Sequence, residues 1–127
     1  MTAKVLIVDD SAMSRRMVRR ILEQGGYSVI EADEGVAALE TYFLEKPDLV
    51  LLDLVMKGMY GLDVLTKLRE LDPGARVVVA SADIQSSTRT MVKDAGARFF
   101  INKPFIPEQL LTTVSSALAE GDNVDTN

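Results

Sequence analysis

Five side chains in this sequence are of the types that handle phosphate and hard cations, and each closes or follows a short apolar run. Asp9 and Asp10 follow Val5-Leu6-Ile7-Val8, Asp53 ends "DLVLLD", Ser81 follows Val79-Ala80, and Lys103 follows "RFFIN". Three carboxylates within a few ångströms of one another repel, and one would ordinarily keep a proton. A divalent cation with oxygen ligands removes that conflict. Mg²⁺ suits it best, because it binds through few carboxylates and keeps waters that a phosphate can replace. Lys103 supplies a second positive charge and Ser81 a hydroxyl donor, so the set reads as a phosphoryl site. Asp53 is then a carboxylate nucleophile of the kind that forms aspartyl phosphates, and the cation and lysine neutralise charge on the transferred group. Each residue alone has a plainer reading. Asp9, Asp10, Ser11 or Ser81 can cap a helix, Asp53 can sit in a turn, and Lys103 can be a solvated surface lysine.

Composition narrows the alternatives. The chain has 127 residues, no cysteine and no histidine, which excludes disulfides, thiolate or imidazole metal sites and histidine-based acid–base chemistry. The net charge of −5 argues against direct nucleic-acid binding through bulk charge. An apolar fraction of 47% suits one domain with a proper core, and the mean hydropathy is +0.11. No apolar run approaches the ~20 residues that span a bilayer, and Thr2-Ala3-Lys4 leads straight into a strand. The expectation is a soluble cytoplasmic domain over residues 1–120 with a polar tail over 121–127.

The elements that must position these groups alternate. Strands are expected at 4–8, 28–32, 48–53, 76–80 and 98–102, with helices at 12–24, 35–45, 62–71, 84–94 and about 107–119. Gly25-Gly26, Pro47, Asp72-Pro73-Gly74 and Gly96 punctuate the helix ends, and Pro107 opens the last helix. The expected apolar faces are Met13, Met17, Val18, Ile21 and Leu22 in the first helix, Ala38, Leu39, Tyr42 and Phe43 in the second, and Val64, Leu65, Leu68 and Leu71 in the third. Alternation of strand and helix means α/β architecture, a doubly wound five-stranded parallel sheet with helices on both faces. The first, third and fourth strands read as buried on both faces and the mixed "SVIEA" as an edge. Ligands in such folds sit beyond the carboxyl ends of the strands, where the five residues fall.

The set "VDDS", "LLDLVMKGMYG", "ASA" and "NKPF" resembles the receiver domain of bacterial response regulators, over the chain from Lys4 to about Leu118. The resemblance implies a flavodoxin-like sheet of order 2-1-3-4-5 and a stand-alone, chemotaxis-type signalling switch. It implies that Asp53 takes a phosphoryl group from a histidine kinase or phosphotransfer protein, or from a small acyl phosphate. Asp10 would ligate Mg²⁺ directly, Asp9 through water, and Asp53 and the Val55 carbonyl would complete the protein's share. Lys103 would pair with the phosphate, Ser81 and Phe100 would form the switch, and the Lys103–Pro104 bond would be cis. Output would pass by contact with a downstream protein, through a monomer or a phosphorylation-dependent dimer. Beyond self-phosphorylation and its reversal no enzyme activity is implied. Lys57 stands where the family usually has proline, Tyr60 where it often has an acid or amide, and Val55 and Asp83 at positions that tune hydrolysis. Phe100 lacks a hydroxyl, so packing alone is expected to hold it inward.

Other readings compete with this one. A Mg²⁺-dependent phosphatase typically needs a second carboxylate two residues after the nucleophile, where Val55 stands. A flavin carrier needs a phosphate-cradling loop after the first strand, and Asp9-Asp10 would repel that phosphate. A receiver-like module whose output ignores phosphorylation is a further alternative. Arg15, Arg16, Arg19 and Arg20 make two i,i+4 pairs, either a solvated face or, with Met13 and Met17, a docking surface beside the pocket. Met56 and Met59 read as loop packing, and "QSSTRT" at 85–90 is poor in helix formers.

Overall fold

The computed structural model describes residues 2–54, 61–82 and 86–120. Its elements are β1 (Lys4–Val8), α1 (Ala12–Gln24), β2 (Ser28–Ala32), α2 (Gly35–Glu45), β3 (Leu49–Asp53), α3 (Gly61–Leu71), β4 (Val77–Ser81), α4 (Ser86–Asp94), β5 (Phe99–Asn102) and α5 (Pro107–Glu120). The strands form one parallel sheet in the order β2-β1-β3-β4-β5, as expected. Val8 pairs with Leu52, Asp53 with Ala80, and Ser81 with Asn102, so the carboxyl ends of four strands share one rim.

Side chains alternate across each strand, and the alternation divides the core in two. Leu6, Val8, Val50, Leu52, Val77 and Val79 face the layer of α2, α3 and α4, where Ala38, Leu65, Leu68 and Val92 meet them. Val5, Ile7, Leu49, Leu51, Val78 and Ala80 face α1 and α5, through Val18, Leu22, Leu110 and Val114. Both faces are covered, so β1, β3 and β4 need continuous apolar sequence, and each buried Val or Leu stabilises the fold by about 1.5–3 kcal/mol. β2 is an edge strand with an exposed start and a half-buried Glu31.

Several expected boundaries and faces are corrected. β3 begins at Leu49 because Asp48 turns its carboxylate to accept from the Lys4 N–H at 2.8 Å. β4 is displaced by one residue, α3 starts one residue earlier at Gly61, β5 starts one later at Phe99, and α4 is described only from Ser86. Met13 and Met17 are 73% and 46% exposed, while Val18, Ile21 and Leu22 carry the buried face of α1. Phe43 stays outside, edge-on to Tyr42 at 5.4 Å, because Tyr42 takes the core position and donates its hydroxyl to Asp72 at 2.6 Å. Burial first, then that hydrogen bond, pushes the Tyr42 phenol above its ordinary range. Leu71, at the end of α3, is also exposed. An apolar stripe about 100° wide is all that one face of a helix can bury, and these side chains lie at its margin.

Phe99 and Phe100 are both half-buried, on opposite faces of β5. The Arg89 guanidinium lies 5.5 Å over the Phe100 ring, a cation–π contact beside the ring's packing on the core.

Candidate functional site

β1 delivers the first two acids. The strand stops at Val8 because Asp9 turns out of the sheet, its N–H still donating to the Ala32 carbonyl at 3.2 Å. The Asp9 carboxylate then accepts from the Ser11 N–H at 2.9 Å. Capping of α1 falls to Ser11, whose hydroxyl accepts from the Ser14 N–H at 3.2 Å. Neither aspartate is needed as that cap. Asp9 is buried and Asp10 exposed.

β3 delivers Asp53 as its last, buried residue, and β4 ends in buried Ser81. Asp9, Asp53 and Ser81 are the buried polar or charged side chains among the described residues. Burying such groups costs free energy unless they are paired or hold a ligand, so their gathering at one rim needs a reason. Carboxylate oxygens of Asp9, Asp10 and Asp53 lie within 4.8 Å of one another. Lys103 comes from the turn after β5, with its backbone N–H on the Ser81 carbonyl at 3.0 Å and a cis bond to Pro104. Its ammonium lies 2.9 Å from Asp9 Oδ2 and 3.4 Å from Asp53 Oδ1. It is half-buried, not a solvated lysine.

The charge arithmetic decides what this pocket can take. Three carboxylates and one ammonium carry a formal charge of −2. The donors are all hard oxygens, which fits Mg²⁺ or Ca²⁺ better than a soft metal. Charge and donor type together fit one divalent cation.

Two positioning features were not found from sequence. Gly61 opens α3 directly against the end of β3, and a Cβ there would lie 2.5 Å from the Asp53 carbonyl oxygen and from Leu54 Cα. Its N–H donates to the Leu54 carbonyl at 2.9 Å. The second is Arg15, whose Nη1 donates to the Asp9 carbonyl at 2.6 Å while Nε holds Glu31 at 3.0 Å. Arg19 also binds Glu31, and Glu23 at 3.2 Å. Thus Arg15 and Arg19 are tied to β2 and to their own helix, whereas Arg16 and Arg20 are exposed. Glu31's burial raises its pKa, but the hydrogen bonds from Arg19 and Arg15 outweigh this and hold it below the ordinary value. Val55, Met56, Lys57, Met59, Tyr60 and Asp83 lie outside the described residues.

Comparison with known proteins agrees with this arrangement. The sequence profile of the response regulator receiver domain matches residues 5–115. The chain is 38% identical over 119 residues to chemotaxis protein CheY of Bacillus subtilis, covering 93% of this chain and 99% of that one. It is 39% identical over 116 residues to CheY of Thermotoga maritima, covering 91% and 97%. The crystal structure of a CheY-like receiver domain protein from Methanospirillum hungatei superposes with a TM-score of 0.91 at 28% identity, covering 97% of this chain and 98% of that one. An acidic rim on a 2-1-3-4-5 sheet and identity along almost the full length of both CheY proteins lead to one assignment: the chain belongs to the response regulator receiver domains, as a CheY-type, phosphorylation-controlled signalling switch of two-component systems.

Proposed function

We propose that Asp53 accepts a phosphoryl group from a phosphohistidine of a kinase or phosphotransfer partner, or from a small acyl phosphate. The observation that carries this reading is the Lys103 ammonium bridging Asp9 and Asp53, at 2.9 and 3.4 Å, beside a third carboxylate. An Asp53 oxygen forms a bond to phosphorus as the bond to the donor nitrogen or oxygen breaks, and the leaving group departs in line. Asp9, Asp10 and Asp53 would hold Mg²⁺, with the Val55 carbonyl as the expected backbone ligand. When bound, the ion neutralises charge on the phosphoryl oxygens. Lys103 would then exchange its contact with Asp53 for one with the phosphoryl group, and Ser81, at the end of β4, would donate its hydroxyl to a phosphoryl oxygen. Phe100 would respond from β5, where Arg89 and the core hold its ring half-buried. Exposed Met13, Met17, Arg16 and Arg20 on α1 would receive the phosphodonor protein.

The test is incubation with Mg²⁺ and acetyl phosphate, read by intact mass. One added phosphoryl group is expected, absent from Asp53→Ala and abolished by chelator. Equal labelling of Asp53→Ala would overturn the assignment of the acceptor.

A further inference from the structure

We propose that Arg15 is a positioning residue for the cation site: through the Asp9 carbonyl it sets the peptide that aims Asp10. This rests on the reading of Asp9, Asp10 and Asp53 as the Mg²⁺ site. The Asp9–Asp10 peptide is planar, so holding its carbonyl oxygen also fixes the plane that carries the Asp10 nitrogen. That oxygen accepts from Arg15 Nη1 at 2.6 Å. On the other side of Asp9, its N–H donates to the Ala32 carbonyl at 3.2 Å. The Asp9 carboxylate is fixed separately, by Ser11 and Lys103. Asp10 is exposed, and a loop side chain on the surface gains no direction from core packing. The peptide before it is one lever the fold has on its orientation.

Glu31 makes the device electrically quiet. A bare guanidinium beside a cation site would oppose the cation. Arg15 Nε is 3.0 Å from Glu31 Oε1, and Arg19 Nη1 binds the other carboxylate oxygen. Arg19 Nη2 also donates to the Val29 carbonyl at 3.2 Å, which ties the assembly to the edge strand. Arg15 is half-buried, and its planar fork holds Glu31 and the Asp9 carbonyl at once. A lysine at the same position has a point-like ammonium on a flexible stem and lacks the rigid two-ended fork that holds both acceptors in a fixed geometry.

Mg²⁺ titration by calorimetry on the full chain separates positioning from charge. Arg15→Lys keeps the charge and is expected to weaken Mg²⁺ binding about tenfold, the low end of the ~10–100-fold seen when groups that orient metal ligands are lost. Arg15→Gln removes a positive charge, which by Coulomb's law alone would tighten Mg²⁺ binding. Positioning requires that it weaken binding instead. Thermal melting of both variants without metal checks that they fold. Mg²⁺ binding by both variants as tight as wild type, or tighter, overturns the proposal and leaves the site reading standing. Failure of the wild-type chain to bind Mg²⁺ overturns the site reading and the proposal with it.

Discussion

Two charged clusters lie within one helix of each other and are built on opposite principles. At the β2 edge, Arg15 and Arg19 meet Glu31 and Glu23, two cations for two anions, with the Arg19 and Glu23 side chains 40% and 52% exposed. At the carboxyl rim of the sheet, Asp9, Asp10 and Asp53 share one Lys103, and Asp9 and Asp53 are buried. The edge cluster is balanced, its Arg15–Glu31 pair half-buried and its Arg19–Glu23 pair exposed, and exposed ion pairs of the second kind are worth under ~1 kcal/mol each. Among the described residues, the rim gathers three carboxylates about one ammonium, and two of the three are buried where water screens charge least. Like charges gathered in a buried place cost stability without a counter-ion, so what distinguishes a site from a brace is the concentration of one sign of charge at a buried rim, not the number of charged residues.

Removing Lys103, the ammonium that contacts both buried rim carboxylates, should have the largest effect. Lys103→Ala is expected to slow phosphorylation by acetyl phosphate roughly 10²-fold, the scale for loss of one group that stabilises transition-state charge. The same variant should bind Mg²⁺ more tightly, since the rim becomes more negative. Rapid-quench mass spectrometry and calorimetry on one sample check both signs. A variant that transfers phosphate at the wild-type rate would place Lys103 with the braces.

Next in size is the backbone that carries Asp53. Gly61→Ala puts a methyl 2.5 Å from the Asp53 carbonyl oxygen and Leu54 Cα, atoms that cannot rotate away. The expected loss is about 1–3 kcal/mol in urea unfolding, the usual cost of overpacking. Because the displaced strand end bears the phosphate acceptor, labelling should slow as well. Gly26, at φ +93, has nothing within 4 Å of where a Cβ would lie, so its alanine variant is strained only in its own left-handed backbone and should lose stability while leaving labelling unchanged.

The sequence made the rim legible and the brace illegible, for reasons of range. Asp9, Asp10, Asp53, Ser81 and Lys103 each follow an apolar run, and in a parallel sheet the ends of those runs share one rim. Local pattern plus one topological rule was enough. The order of the strands came from the family resemblance, because apolar periodicity carries no neighbour information. Arg15 and Glu31 are separated by 16 residues and meet only because β2 lies beside β1. A glutamate inside an otherwise apolar strand was the available clue. Gly61 reads as ordinary loop because its constraint is a contact with β3. Met13, Met17, Phe43 and Leu71 were misplaced because a periodic pattern gives the direction of a buried stripe but not where it stops.

The smallest effect is also the sharpest comparison, because one chemical change should act with opposite sign in the two clusters. Without Mg²⁺, Asp10→Asn relieves repulsion from Asp9 and Asp53 and is expected to stabilise the fold by up to about 1 kcal/mol. Glu31→Gln breaks a balanced set and should destabilise by under ~1 kcal/mol. The pH dependence follows from the direction of the Glu31 shift. Its carboxyl titrates lower in the folded chain than in the unfolded one, so its contribution is complete above the unfolded value of about 4.3. It is lost as pH falls through the lower, folded value. The urea-unfolding gap between wild type and Glu31→Gln should therefore hold at pH 7 and narrow below about pH 4. A gap that is unchanged across that range would mean that Glu31 braces the edge by shape and hydrogen bonding alone. If Asp10→Asn also destabilised the metal-free chain, the rim would be balanced after all, and the contrast between the two clusters would fail.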